Sequence, residues 1–320
     1  MSKLAIIHHS ACIAHDPGPN HSERSERLVA IEKALKEIAN QNIQWIEAPR
    51  GNKEQILLAH TPEYMDFIFQ NVPTQGYKAV EINEVVSNDD GGEVTTLSPA
   101  SGEALWRSVG ASCHAVDLIF KNQAKTAFAA TRPPGHHALT HKSMGFCVFA
   151  NAAIAARYAQ QQYKIKKVAI VDFDVHHANG TQQIFEKDNS VLVASIHQLP
   201  LWPESGYEHE TGVGNIINVP VKPDISRDAW MQSWQTKILP AIDKFAPEFI
   251  VISAGFDAHK DDPKGSQNLE TQDYYTVTKD LISLAQKHAK GRIMSVLEGG
   301  YDIAASAASA KAHVQALLDS

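Results

Sequence analysis

The sequence predicts an α/β fold: a single domain with a central, mainly parallel β-sheet flanked by helices. Three observations carry that expectation. Six short segments are almost wholly apolar, as strands are when helices cover both faces of a parallel sheet. Stretches with three- and four-residue apolar spacing lie between them. No composition break or Ser/Gly/Pro-rich linker divides the 320 residues, so one domain over 1–320 is expected.

The elements follow in chain order. A strand is expected at 4–8, then a helix at 24–40, where Leu28, Ile31, Leu35 and Ile38 form one apolar face. Ser98 and Pro99 are read as the N-cap and first turn of a helix at 100–120. Strand 126–130, helix 151–162, and strands 168–173 and 191–196 come next. A helix at 226–245 should bend at Pro240, because proline removes a backbone donor. Strand 249–253, helix 271–290, strand 293–297 and helix 304–318 complete the alternation, which argues for a parallel sheet with crossover helices.

Composition excludes several classes. The chain is 43% hydrophobic and 20% charged, ordinary for a globular protein and wrong for collagen, coiled coil or wholesale disorder. Its net charge is −7 with Lys and Arg scattered, so no nucleic-acid partner is expected. The apolar run at 4–7 is too short for a signal peptide, and no segment approaches the length of a membrane span, so no membrane partner is expected. Cys12, Cys113 and Cys147 form no C-x-x-C pair and leave an odd thiol, which fits a reducing, cytoplasmic setting. The 16 His are the unusual number. Two His-His pairs, His136-His137 and His176-His177, sit among Gly, Pro and Asp, and there the chemistry is sought.

Ligands of parallel α/β sheets bind beyond the carboxyl ends of the strands. Five predicted strands run into polar clusters at that edge: Arg132 to His137, Asp174 to Gly180, His197, Gly255 to Asp257, and Glu298 to Tyr301. Asp174 and His176 are two apart on extended chain and point the same way. With Asp257 they offer three ligands and an open fourth position, the requirement of a catalytic zinc. Donors without thiolate also suit iron, cobalt or manganese. An isolated Asp-x-His is more often a helix cap beside a packed histidine. Here that reading leaves four other polar clusters at the same edge unexplained.

His136 and His137 follow a Pro-Pro-Gly turn, and a neutral imidazole there can take a proton from a metal-bound water and return it to a leaving amine. Asp172 and Asn179 are placed to orient the histidines, the amide leaving its imidazole less basic than a carboxylate would. Tyr301, after two glycines, offers a phenol to a developing oxyanion. Gly145, Phe146 and Trp202 are read as walls of a narrow apolar slot. Together these groups make a hydrolase for a carbonyl substrate. Esters and thioesters fit the same chemistry, but an amide best uses a site that can protonate an amine.

The ordered blocks R-P-P-G-H-H-A (132–138), G-F-C (145–147), D-F-D-V-H-H-A-N-G-T-Q (172–182), A-G-F-D-A-H (254–259) and L-E-G-G-Y (297–301) resemble the zinc-dependent histone deacetylase superfamily. Its class II-like branch, with bacterial deacetylase-like amidohydrolases and acetylpolyamine amidohydrolases, fits best, and the resemblance runs from 21–27 to Tyr301. It implies the arginase/deacetylase-like fold and an enzyme that removes acetyl or related acyl groups from an acylated amine. Acetyl-lysine in protein or peptide is the first substrate expected, and a small acylated amine such as an acetylpolyamine the alternative. One zinc would sit on Asp174, His176 and Asp257. His137 would act as base and then acid, His136 as its electrostatic partner, and Tyr301 as the polariser of the acyl carbonyl. The resemblance also implies a structural potassium, held by the Asp172 side chain, the carbonyls of Asp174, His176 and Ile196, and Ser195.

Two positions depart from the family pattern. Ala178 replaces the usual Gly after the His pair, a change expected to be tolerated. Lys264 stands on the expected tunnel rim, where relatives carry an apolar residue or, in polyamine-selective members, Glu. A lysine there would repel a polyamine. An arginase-like dimetal enzyme is a second reading, weakened because Ala178 and Gly255 stand where its extra carboxylates would be. A catalytically silent metal- or ligand-binding protein is a third, and the retained Tyr301 and histidines weigh against it. No basic tail or recognition domain points to chromatin. Oligomeric state is not legible.

Overall fold

The computed structural model describes residues 2–81, 84–86 and 94–320. Its strands are β1 (Ser2–His8), β2 (Ile43–Glu47), β3 (Lys78–Glu81), β4 (Glu84–Val86), β5 (Thr96–Leu97), β6 (Ala124–Ala129), β7 (Val168–Asp172), β8 (Val191–Gln198), β9 (Ile216–Val221), β10 (Phe249–Ala254) and β11 (Ile293–Leu297). The helices are α1 (Ser10–Ala14), α2 (Ser25–Glu37), α3 (Lys53–Ile56), α4 (Pro62–Gln70), α5 (Ser101–Phe120), α6 (Asn151–Tyr163), α7 (Asn179–Phe185), α8 (Arg227–Ser233), α9 (Leu239–Phe245), α10 (Thr271–His288) and α11 (Ile303–Leu318). Eight strands form one sheet in the order β2-β1-β6-β11-β10-β7-β8-β9, every pair parallel. A small antiparallel sheet, β4-β3-β5, stands apart.

Alternation within each strand builds two cores. On β10, Phe249 and Val251 join the cluster under α4, α5 and α6, while Ile250, Ile252 and Ala254 join the cluster under α2, α10 and α11. On β7, Val168 and Ile170 face the first side and Ala169 and Val171 the second. Full burial of each Ile or Val contributes about 1.5–3 kcal/mol, so a strand fed into both layers is apolar at most positions. That is why the six central strands are continuous runs.

The small sheet β4-β3-β5 is absent from the expectation, and so are two strands of the large sheet, its edges β2 and β9. An edge strand has one neighbour and a half-exposed face, so its sequence lacks the doubly buried run. Gln44 and Glu47 of β2 are exposed, and β9 tolerates Pro220. The helix start needs one correction. Helix α5 begins at Ser101, and Ser98 does not cap it; the Ser98 hydroxyl accepts instead from the Asp16 N–H at 3.2 Å. The expected bend near Pro240 is a π-helical turn, Trp234–Ile238, in which the Leu239 N–H reaches back to the Trp234 carbonyl. No helix among the described residues is long and apolar enough to cross a membrane. Cys12, Cys113 and Cys147 are buried and unpaired.

Candidate active site

Adjacent β6, β11, β10 and β7 release their chains at one edge of the sheet, and each delivers part of one constellation. His176 Nδ1 lies 3.0 Å from Asp174 Oδ1 and 3.1 Å from Asp257 Oδ2. Both carboxylates are fully buried. Backbone donors hold their remaining valences: Gly299 N–H gives to Asp174 Oδ2 at 2.9 Å, and Val175 N–H to Asp257 Oδ1 at 2.7 Å. Gly255 and Gly299 are required here, because a Cβ on either would overlap the Asp174 carboxylate.

Two buried carboxylates on one imidazole demand a cation. Burial works against charge on His176, yet its hydrogen bonds to Asp174 and Asp257 push it up to about 10. Burial, reinforced by the Asp174 charge, pushes Asp257 up to about 7. A divalent ion would satisfy the group without those protons, and the buried Asp174, His176 and Asp257 donors lie close enough together to share one. The O,N,O donor set suits zinc, iron, cobalt or manganese.

The histidine pair stands beside this group, its rings 3.8 Å apart. His136 Nδ1 meets Asp172 Oδ2 at 3.0 Å, and His137 Nδ1 meets Asn179 Oδ1 at 2.7 Å. Both partners are acceptors, so both Nδ1 atoms carry protons and each Nε2 is the basic nitrogen. The two rings then diverge. Burial would favour neutral His136, but Asp174 and Asp172 outweigh it and hold it well above the ordinary imidazole range. Burial pulls His137 well below that range, and the neighbouring His136 and His176 add to the effect.

Tyr301 follows Gly299 and Gly300 after β11, and burial pushes its phenol well above the ordinary range. A cavity of about 370 Å³ connects Tyr301, His137 and His176 with Gly145, Phe146, Trp202 and Lys264. The expected wall residues are therefore together. Gly145, at φ +57°, brings its backbone against Trp202 and the His137 ring, where a Cβ would collide with both. Trp202 stands edge-on to His137 at 4.7 Å and remains 44% exposed at the mouth. Ala178 adopts φ −75°, which any residue takes, so the missing glycine costs nothing at that angle. Asp172 and Ser195, from the expected potassium set, are register partners across β7 and β8.

A match to the histone deacetylase domain covers residues 21–317. The chain belongs to the histone deacetylase family. It is 34% identical over 305 residues to a probable deacetylase of Archaeoglobus fulgidus, covering 93% of this chain and 81% of that one. It is 33% identical over 299 residues to a histone deacetylase-like amidohydrolase of Pseudomonas aeruginosa, with 91% and 73% covered. Among solved structures, the HDA15 HD domain superposes with a TM-score of 0.88 at 32% identity, covering all of this chain and 90% of that one. One Dictyostelium discoideum relative is far longer, and the chain spans 20% of it. Membership brings the deacetylase/amidohydrolase class of hydrolysis and the class II branch that the motifs resemble.

Buried charged residues to which the motifs assign no role support this constellation. Arg27, fully buried, donates to the Gly300 and Glu298 carbonyls, and its guanidinium lies 4.8 Å from the Tyr301 ring centroid. Glu23 accepts from Arg27 at 2.9 Å and from Arg132 at 2.5 Å. Glu298 Oε2 accepts from the Gly135 and His136 N–H groups at 2.7 and 3.1 Å, fixing the histidine turn. The available signal was charge in positions that the strand pattern buries, as at Glu298 directly after β11. Val94 and Leu201 complete the cavity wall without any motif to mark them.

Proposed function

We propose that this chain is a zinc-dependent amidohydrolase, acting on linear amide C–N bonds, that removes acetyl or related acyl groups from an acylated amine. Acetyl-lysine in a protein or peptide is the leading substrate, and an acetylpolyamine or other small amide the alternative. One observation carries the reading: a buried O,N,O ligand set, two histidines of opposed proton affinity and a phenol meet at one cavity. Asp174, His176 and Asp257 would hold the ion, which when bound would polarise the acyl carbonyl and acidify a water.

The chain's own residues do the rest. His137, its Nδ1 committed to Asn179, takes a proton at Nε2 from the attacking water and delivers it to the leaving amine. His136, kept charged by Asp174 and Asp172, places positive charge beside the reacting centre. Tyr301 donates to the carbonyl oxygen as it gains charge. Phe146 and Trp202 flank the acylated chain and limit water. Lys264 at the cavity wall disfavours polycations, which ranks acetyl-lysine first. Potassium on Asp172, Ser195 and the carbonyls of Asp174, His176 and Ile196 belongs to the same reading. So do a cytoplasmic setting, supported by three unpaired buried thiols, and one catalytic domain over 1–320.

The test is amine release from acetyl-lysine peptides and acetylated polyamines by zinc-loaded, metal-free and Tyr301→Phe protein. Zinc-dependent turnover that falls at least about tenfold in the variant, with zinc retained, is expected. Zinc bound without turnover on either substrate would reject the reading in favour of a silent binder or another acyl substrate.

A further inference from the structure

The loop after β10 carries Asp257 at its start and Lys264 near the cavity mouth. Between them lies a buried carboxylate with no part in the chemistry above. Asp262 is 5% exposed. Its Oδ2 accepts from the Tyr301 N–H at 2.6 Å and the Asp302 N–H at 3.0 Å, and its Oδ1 accepts from the Lys264 N–H at 3.0 Å. Three backbone donors therefore converge on one side chain, from two loops far apart in sequence.

Tyr301 needs such a partner. Two glycines precede it, and Gly300 sits at φ +116°, so local sequence does not set the direction in which Tyr301 leaves the strand. The Gly300–Tyr301 peptide is gripped from outside at both ends. Arg27 donates to its carbonyl oxygen, and Asp262 accepts from its N–H. An ionised acceptor makes the stronger kind of hydrogen bond, and a small rotation of this peptide would carry the phenol away from the substrate carbonyl.

We propose that Asp262 is a positioning residue: it fixes the Gly300–Tyr301 peptide plane, and through it the tyrosine hydroxyl, and ties that plane to the cavity rim at Lys264. The proposal rests on the reading of Tyr301 as the donor to the reacting carbonyl. Only a carboxylate serves all three donors. An asparagine has one acceptor oxygen, so its amide group must face either the Tyr301 and Asp302 N–H pair or the Lys264 N–H.

The experiment compares Asp262→Asn, Tyr301→Phe and the double variant in zinc-loaded enzyme with an acetyl-lysine peptide. Zinc content and thermal unfolding are measured alongside. Asp262→Asn should lower kcat about tenfold while KM stays within about twofold and zinc remains bound. In the Tyr301→Phe background the same change should cost less than about twofold, because the hydroxyl it positions is already gone. A merely structural role would slow both backgrounds equally, so multiplicative losses, or wild-type kcat in both Asp262→Asn and Asp262→Ala, would overturn the proposal. Wild-type turnover by Tyr301→Phe alone would instead sink the reading beneath it, and this proposal with it. Asp262→Ala, which removes every side-chain acceptor, is read by the same cycle, because an asparagine oxygen can still serve the Tyr301 N–H.

Discussion

Nδ1 of His137 donates to the side-chain oxygen of Asn179 across 2.7 Å, where the adjacent His136 faces the carboxylate of Asp172. Amide against carboxylate helps sort two touching imidazoles into opposite protonation states. Burial holds His137 low, and a neutral amide does little to reverse it. A base works only when neutral, so its low proton affinity keeps it competent into mildly acidic solution. Asn179→Asp should raise the proton affinity of His137 and move the acid limb of the kcat/KM profile about one unit or more toward higher pH. Coincident acid limbs for wild type and variant would remove Asn179 from this role.

Metal uptake should release protons. In the metal-free protein His176 is pushed up to about 10 and Asp257 up to about 7, against burial in the first case and because of it in the second. Both must be deprotonated to ligate, so zinc affinity should weaken as pH falls through neutrality. Calorimetry in buffers of different ionisation enthalpy reads the proton count directly. Asp257→Ala removes one of three donors and should lose both bound zinc and turnover. One zinc per chain retained by that variant would reject the ligand assignment.

How much of this was legible in the sequence follows burial. The six central strands declared themselves because both faces are covered, as Val168 to Val171 illustrate by alternating between two cores. Edge strands β2 and β9 did not, since exposed Gln44 and Glu47 break the run of β2 and Asn218 and Pro220 break that of β9. Among the cavity-lining residues, His137, His176 and Tyr301 were legible because His and Tyr at strand ends carry a chemical signature, whereas Val94 and Leu201 carry none. The residues that hold the site were missed. Arg27, Asp262 and Glu298 act largely through backbone groups and Glu23 through two buried guanidiniums, and Arg27 meets the Gly300 carbonyl 273 positions away, a distance no local pattern encodes.

Glu23 should be a large single contributor to stability. Its carboxyl is buried with Arg132, His15 and Arg27, and despite burial those partners hold it well below the ordinary carboxylate range. A depressed folded pKa contributes stability that is complete above the unfolded value of about 4.3 and is lost as pH falls toward the folded one. Glu23→Ala strands two buried guanidiniums and should cost about 3–5 kcal/mol at neutral pH. The penalty should shrink as pH falls below about 4, because wild type then loses what the variant already lacks. Urea denaturation at both pH values checks it, and a loss under about 1 kcal/mol at pH 7 would contradict the account.

Lys264 should set the preference between substrate classes. Its side chain is partly buried on the cavity wall, and its N–H is fixed by Asp262, so replacing the side chain leaves the rim backbone held. A polyamine threaded to the same floor would bring a second ammonium toward this cation; an acetyl-lysine peptide need not. Two like charges a few ångströms apart at a partly solvated mouth cost on the order of 1 kcal/mol, and reversing one sign doubles the swing. Lys264→Glu should therefore raise the kcat/KM ratio of acetylpolyamine to acetyl-lysine peptide by about tenfold or more at low salt. The gain should shrink toward 1 M salt, where the Debye length falls to about 3 Å. A ratio unchanged at low salt would assign the discrimination to the shape of the Phe146 and Trp202 walls instead, since charge at this position would then have no influence on which amine enters.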